Sequence, residues 1–153
     1  MSLSHAITVM LVAAAPVSEL RGALPLGISY GMPWGYAFAL SVIGNLVPVL
    51  PILLLAGWTE RHLRRFAPSR RLMETVFART RRKGRLVERY GALGLIMIVA
   101  IPLPATGAWT GAIVAFLTGM EVRKAFTLIA LGVLIAGVIV LLASKAGFYL
   151  FAG

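Results

Sequence analysis

The chain has 153 residues, 59% hydrophobic and only 13% charged, with a mean hydropathy of +0.91. Soluble domains carry about 25% charged residues, so the composition points to a membrane protein, and the length suits one compact bundle, a single membrane domain. Cysteine is absent and His5 lies far from His62, so no disulfide, metal site or cofactor is expected.

A net charge of +10 invites a nucleic-acid reading until the charges are located. Eleven of the 15 Lys+Arg residues fall between Arg61 and Arg89, in one connection between apolar segments. The positive-inside rule makes such a connection cytoplasmic, and nucleic-acid binding is not expected. The N-terminus has no basic leader and no small-residue exit, unlike a cleaved signal peptide.

In chain order, His5 to Ala15 is an apolar run that reaches ~16 Å as a helix, about half of a ~30 Å hydrocarbon core. Pro16 interrupts it, and Ser18 is a candidate cap for a second half-length helix beginning at Glu19 and running to Tyr30. Two half-helices joined by a polar elbow predict a re-entrant hairpin; one kinked transmembrane helix is the alternative. Gly31–Tyr36 reads as an interfacial turn, with Trp34 and Tyr36 at headgroup level. Tyr36 to Gly57 is long enough to cross. Its Asn45, Pro48 and Pro51 suit a helix facing the bundle interior.

Thr59 to Tyr90 is the basic connection. Leu72, Met73, Val76 and Phe77 recur at helical spacing after the start signal Pro68-Ser69, which predicts an amphipathic helix on the inner leaflet. Orientation and attraction to anionic lipids account for its charge, with regulation or partner binding as the alternative. Gly91 to Leu103 is again half a membrane long and ends in a second elbow at Pro102 and Pro104. Thr106 or Gly107 can start the return arm, Ala108 to Gly119. Glu121–Lys124 is a charged stop, and Ala125 to Ser144 is the second full crossing, closed by Lys145 and an aromatic tail.

An offset of 88 positions aligns Pro16 with Pro104, Gly31-Met32 with Gly119-Met120, Ala37-Phe38 with Ala125-Phe126, and Gly44 with Gly132. Each copy, about 5–58 and about 91–147, reads as hairpin, turn and crossing. An odd number of crossings per copy turns the second copy upside down, and this inverted arrangement puts Arg123 and Lys124 inside with the basic connection. The expected fold is therefore an all-α integral membrane protein: an inverted repeat of a re-entrant hairpin plus a transmembrane helix, joined by a basic cytoplasmic amphipathic segment, with both termini outside.

Inverted repeats of broken helices place a transport site near the midplane. Glu19 and Arg21 are charges inside apolar sequence, which is a functional signal. With them, Ser18, Pro25, Thr106, Gly107, Trp109 and Thr110 are the candidate substrate-binding or coupling residues; Pro16, Gly22, Gly27, Pro102, Pro104 and Gly111 are candidate elbow or structural positions. The spacings Gly27-x-x-x-Gly31-x-x-x-Gly35 and Gly107-x-x-x-Gly111 also fit close helix packing alone. Glu19 and Arg21 point to different sides of a helix, so each needs a separate partner. Glu19 is read as a proton-dependent gate, or else as a simple cap on its own helix beside Ser18.

The two stretches Glu19-Leu20-Arg21-Gly22-Ala23-Leu24-Pro25-Leu26-Gly27 and Ile101–Ala112 resemble the bacterial small multidrug export family over nearly the whole chain. The plan is also similar to the larger DedA/VTT membrane proteins, which have two opposed re-entrant hairpins and include polyprenyl-phosphate flippases and lipid scramblases. The second elbow departs from that pattern, with Thr106 and Thr110 but no arginine. The family resemblance implies drug export and the DedA/VTT plan a lipid-phosphate cargo; the expected location is the bacterial inner membrane, and no enzymatic activity is expected.

Three functions compete. The first is a transporter or flippase for an amphipathic, anionic, lipid-phosphate-like substrate, since two helix N-termini and Arg21 favour an anion. The second is a proton-coupled exporter of hydrophobic cations held by Glu19. The third is a scaffold that transports nothing. An intramembrane enzyme is least favoured, for want of a nucleophile–base pair. A bundle this thin is expected to form a homodimer.

Overall fold

The computed structural model describes residues 3–55, 75, 78, 80, 83–101 and 106–152, with side chains through Gly147. Helix is the only regular secondary structure among the described residues, in six principal helices: α1 (Leu3–Ala14), α2 (Glu19–Ser29), α3 (Trp34–Leu46), α4 (Ala92–Ala100), α5 (Ala108–Leu117) and α6 (Val122–Ala152). Two helices are long and apolar enough to cross a membrane, Trp34–Leu55 and Val122–Gly147. The first contains α3 and resumes after a turn at Val47-Pro48, where proline has no N–H to donate. The second crossing does not stop at Lys145; the aromatic tail continues the helix to Ala152.

Short helices end where the sequence removes donors or supplies glycine. α2 closes with Tyr30 N–H on the Leu26 carbonyl, Gly31 N–H on Ile28 and Met32 N–H on Gly27. α5 closes with Thr118 N–H on Val114, Gly119 N–H on Phe116 and Met120 N–H on Ala115. Every pair in the second set lies 88 positions after its counterpart in the first, and Gly31 (φ +74) and Gly119 (φ +68) hold the same left-handed position. Glycine is needed there because a Cβ disfavours that region.

Lipid tails are as apolar as leucine, so helices in a bilayer associate through close packing and hydrogen bonds rather than hydrophobic burial. Gly44 supplies such packing: a Cβ there would lie 2.6 Å from the Met10 carbonyl oxygen and 2.9 Å from the Ala13 Cβ, on α1. Gly132 does the same for α4, where a Cβ would lie 2.7 Å from the Val99 Cβ. Gly27 approaches Ala37 and Gly111 approaches Val99. The stripe continues no further than Gly27, because nothing lies near a Cβ at Gly31 or Gly35. Gly31 serves as a turn instead.

The main core joins Leu20 of α2, Val42 of α3, Leu95 and Val99 of α4, Val114 of α5, and Ile129 and Val133 of α6. A second cluster, Val9, Ala13, Ala23, Leu24, Met32 and Ala37, seals α1 to α2 and α3. Large apolar side chains such as Ile43, Leu54 and Leu142 remain exposed, as suits a surface facing lipid. Asn45 is buried, as its inward expectation requires, whereas Pro51 is exposed.

Of the basic connection, residues 83–90 form a helix that turns into α4 at Gly91 (φ +57). Val87 is buried in the main core, so the end of this connection packs onto the bundle. The expectations for Pro68, Ser69, Leu72, Met73, Val76 and Phe77 lie outside the described residues, as do those for Pro102 and Pro104.

Candidate functional site

The first elbow runs from the end of α1 to the start of α2. Ser18 stands at the N-cap position of α2, but its backbone is already helical (φ −88, ψ −43) and its hydroxyl makes no cap bond. Instead Ser18 Oγ donates to the Val12 carbonyl at 2.7 Å, tying the elbow back to α1. The expected capping role of Ser18 is therefore corrected. The serine is used to close the hairpin.

Glu19 is next, with φ +47, the only positive φ at a non-glycine residue among those described. A glutamate in this region is strained by roughly 1–3 kcal/mol and persists only where its surroundings over-determine it. What holds it is the second elbow. The backbone N–H of Trp109 donates to Glu19 Oε1 at 3.3 Å, and the Ala108 N–H also serves the carboxylate. The N-cap residue of α5 is Gly107, which has no side chain to offer. Glu19 thus caps the opposite arm, not its own helix. Only glycine fits at 107: its φ is +131, and a Cβ there would overlap the Glu19 carboxylate.

Arg21 also reaches across. Its Nη2 donates to Thr106 Oγ1 at 2.9 Å, to the Thr106 carbonyl at 3.1 Å and to the Ile101 carbonyl at 3.4 Å. Thr106 Oγ1 in turn donates to the Ile101 carbonyl at 2.9 Å. In the other direction, Trp109 Nε1 donates to the Ala14 carbonyl at 3.1 Å, the last residue of α1. Arg21 and Trp109 stand 88 positions apart, and each ties its own return arm to the other elbow. Carbonyls at helix C-termini lack intrahelical donors, so both bonds satisfy orphan acceptors.

The structure brings together Glu19, Arg21, Thr106, Gly107 and Trp109. Gly22, Gly27 and Gly111 are packing positions, the closest approach to Gly22 being the Ser18 Cβ. Pro16 and Pro25 are exposed and Thr110 is half-buried. Pro25 lies inside α2 and has no backbone N–H to give to the helix ladder. Two residues escaped sequence reasoning as site members. Asn45 lines a small cavity with Glu19, Arg21, Gly107 and Ala108. Lys83, at the end of the basic connection, feels the Arg21 charge; burial first, and then Arg21, lower its pKa. Asn45 was legible as polar within an apolar span, but nothing local signalled Lys83.

Among the described residues the secondary structure is all helical, with two long apolar helices and a buried carboxylate at the first helix break, which together fit a membrane protein. Residues 19–139 match the family described as "Putative small multi-drug export protein", and the chain belongs to that family. The matched region opens at Glu19 and encloses both return arms. Comparison with curated proteins and with solved structures returns no match.

Proposed function

We propose that this protein is an inner-membrane transporter that moves an amphipathic, anionic substrate, lipid-phosphate-like in chemistry, through a midplane site between two opposed re-entrant hairpins. The observation that carries the reading is the reciprocal bridging of the elbows, with Arg21 on Thr106 and Ile101, and Glu19 on the amide end of α5. Such bonds are strong while closed and exchangeable for a ligand when open. An anion can replace the Thr106 and Ile101 oxygens on Arg21 Nη2, and the released α5 amides can serve the same anion.

Opposed hairpins are supported by the ends of the helices. The His5 ring at the start of α1 stacks on the Tyr30 ring after α2 at 4.3 Å. Lys145 of α6 lies over the Trp34 ring at the start of α3, 5.3 Å from its centroid. The matched turns 88 positions apart support the repeat. Proton coupling through Glu19 and a homodimer complete the proposal, with the basic connection on the cytoplasmic side against anionic lipid.

A second reading is favoured by the family description: export of hydrophobic cations, with Glu19 as the binding charge. Flux assays in liposomes decide between them. Purified protein should move a fluorescent lipid phosphate across the bilayer and leave a lipophilic cationic dye unmoved, and Arg21→Gln should abolish that movement. Dye export that survives Arg21→Gln and fails in Glu19→Gln selects the second reading. Movement of neither leaves a scaffold.

A further inference from the structure

Within the crossing helix α3, two buried polar atoms have no hydrogen-bond partner, Ser41 Oγ and Asn45 Oδ1. Asn45 is 3% exposed and Ser41 fully buried. An unpaired acceptor in hydrocarbon is costly and asks for an explanation. Asn45 borders a cavity of about 10 Å³, room for one water-sized ligand, shared with Glu19, Gly107, Ala108, Val133 and Ala136. The cavity's side-chain polar groups are a carboxylate, an amide and the Arg21 guanidinium, whose Nη2 donates to Thr106 and Ile101. Asn45 is also one residue from the end of α3, where carbonyls accumulate negative potential, and Pro48 leaves the Gly44 carbonyl without its helical donor.

We propose that this cavity is a binding site for a small monovalent cation, hydronium or sodium, held between the Glu19 carboxylate and Asn45 Oδ1, and that this cation is the coupling ion. The inference rests on the transporter reading above and deepens its coupling step by giving the ion a place. In the proton case, hydronium gives one proton to the carboxylate, leaving water and a neutral carboxylic acid whose O–H can donate to Asn45. In the sodium case the ion binds intact to the same oxygens. Ser41 lies one turn nearer the Trp34 end of the helix and repeats the deficit.

The charged groups facing Glu19 fix the coupling. Arg21 stands two residues away on α2, the amide end of α5 is partially positive, and Lys83 approaches Arg21 from the basic connection. α3 and α6 bring no ionisable side chain to the cavity. A lone cation there is opposed by Arg21. An anionic cargo on Arg21 removes that opposition, so cargo and cation favour each other's binding, as symport requires.

The test uses full-length protein in liposomes, with Trp34→Phe and Trp58→Phe leaving Trp109 as the reporter beside Glu19. Sodium chloride is titrated against choline chloride at constant ionic strength, and separately the pH is lowered without sodium. A saturable change in Trp109 fluorescence is expected with one of the two, identifying the ion. Asn45→Leu should weaken the response about tenfold or more, as loss of a contact to a charged group does. It should also leave thermal stability in choline equal or higher, since an unpaired acceptor has been removed. Asn45→Asp, which keeps the shape and adds charge, should strengthen cation binding. No saturable response to either ion, or an unchanged midpoint in both Asn45 variants, overturns the site. Lipid-phosphate movement that persists in that event leaves the transporter reading standing, so the two fail separately.

Discussion

Glu19 and Gly107 lie 88 positions apart, each stands at the start of a returning helix with a positive φ, and they touch. One has a carboxylate and the other has no side chain at all. The missing Cβ of Gly107 is the space that the Glu19 carboxylate fills, so the two elbows are complementary rather than alike.

Gly107→Ala tests that complementarity. The new methyl overlaps the carboxylate, and φ +131 is unfavourable for alanine. Loss of several kcal/mol is expected, seen as poor recovery of folded protein and a lowered Tm. Adding Glu19→Ala removes the overlap but not the backbone strain, so recovery should be partial. A coupling of about 1–3 kcal/mol between the two substitutions is the measure of the contact.

Glu19→Gln separates charge from shape. The amide oxygen can still accept from Trp109, so stability should fall by no more than about 1 kcal/mol. Dependence of transport on pH or on the coupling ion should vanish. Full, ion-responsive transport by this variant would remove Glu19 from the mechanism.

Arg21→Lys keeps the charge and loses the fork. A lysine side chain is shorter and lacks the planar guanidinium whose Nη2 reaches Thr106 and Ile101, so cargo movement should drop about tenfold or more while insertion into the membrane is unchanged. Equal transport by the lysine variant would show that a point charge suffices.

Much of the fold was legible because proline, glycine and apolar run length act locally. Pro16, Gly31 and Gly119 mark helix ends in sequence and in structure. The site was legible in its members and not in its bonds. Glu19 was expected to cap its own helix if it capped anything, but a capping partner on an arm 90 positions away leaves no local trace. Ser18 has the right residue type and position for a cap, yet Val12 offers its hydroxyl an acceptor first. Asn45 showed its polarity in sequence, while the cavity it shares with Glu19 depends on how α2, α3 and α5 pack.

Lys83 gives a prediction in pH. Burial, then the Arg21 charge, hold its pKa below the ordinary lysine value. The folded state therefore binds this proton less tightly than the unfolded state. At lower pH, where both states carry the ammonium, the cost of burying it is fully present. As pH rises from the lowered folded value toward the usual ~10.4, the unfolded state binds more protons and stability rises. The Tm in detergent should climb across that alkaline window, and Lys83→Met should flatten the climb by raising the lower end. A lysine that lay free in water would give neither effect.

The last prediction concerns which faces are which. One continuous crossing from His5 to Tyr30 would hold those rings about 30 Å apart, at opposite membrane faces. They stack at 4.3 Å, which supports a hairpin entering and leaving on one side. Lys145 over Trp34 brings the end of the second crossing to that same side. The heavy positive charge of 59–90 then predicts that the opposite side, with Glu121–Lys124, faces the cytoplasm. The native chain has no cysteine, so single cysteines report cleanly. In intact cells, a membrane-impermeant maleimide should label position 31 and leave position 123 unlabelled until the membrane is opened. Four full crossings would instead put position 123 outside, so that Arg123 and Lys124 would lie where the positive-inside rule disfavours them. Outside labelling at 123 in intact cells, with 31 also labelled, would sink the opposed-hairpin arrangement and with it the shared midplane site.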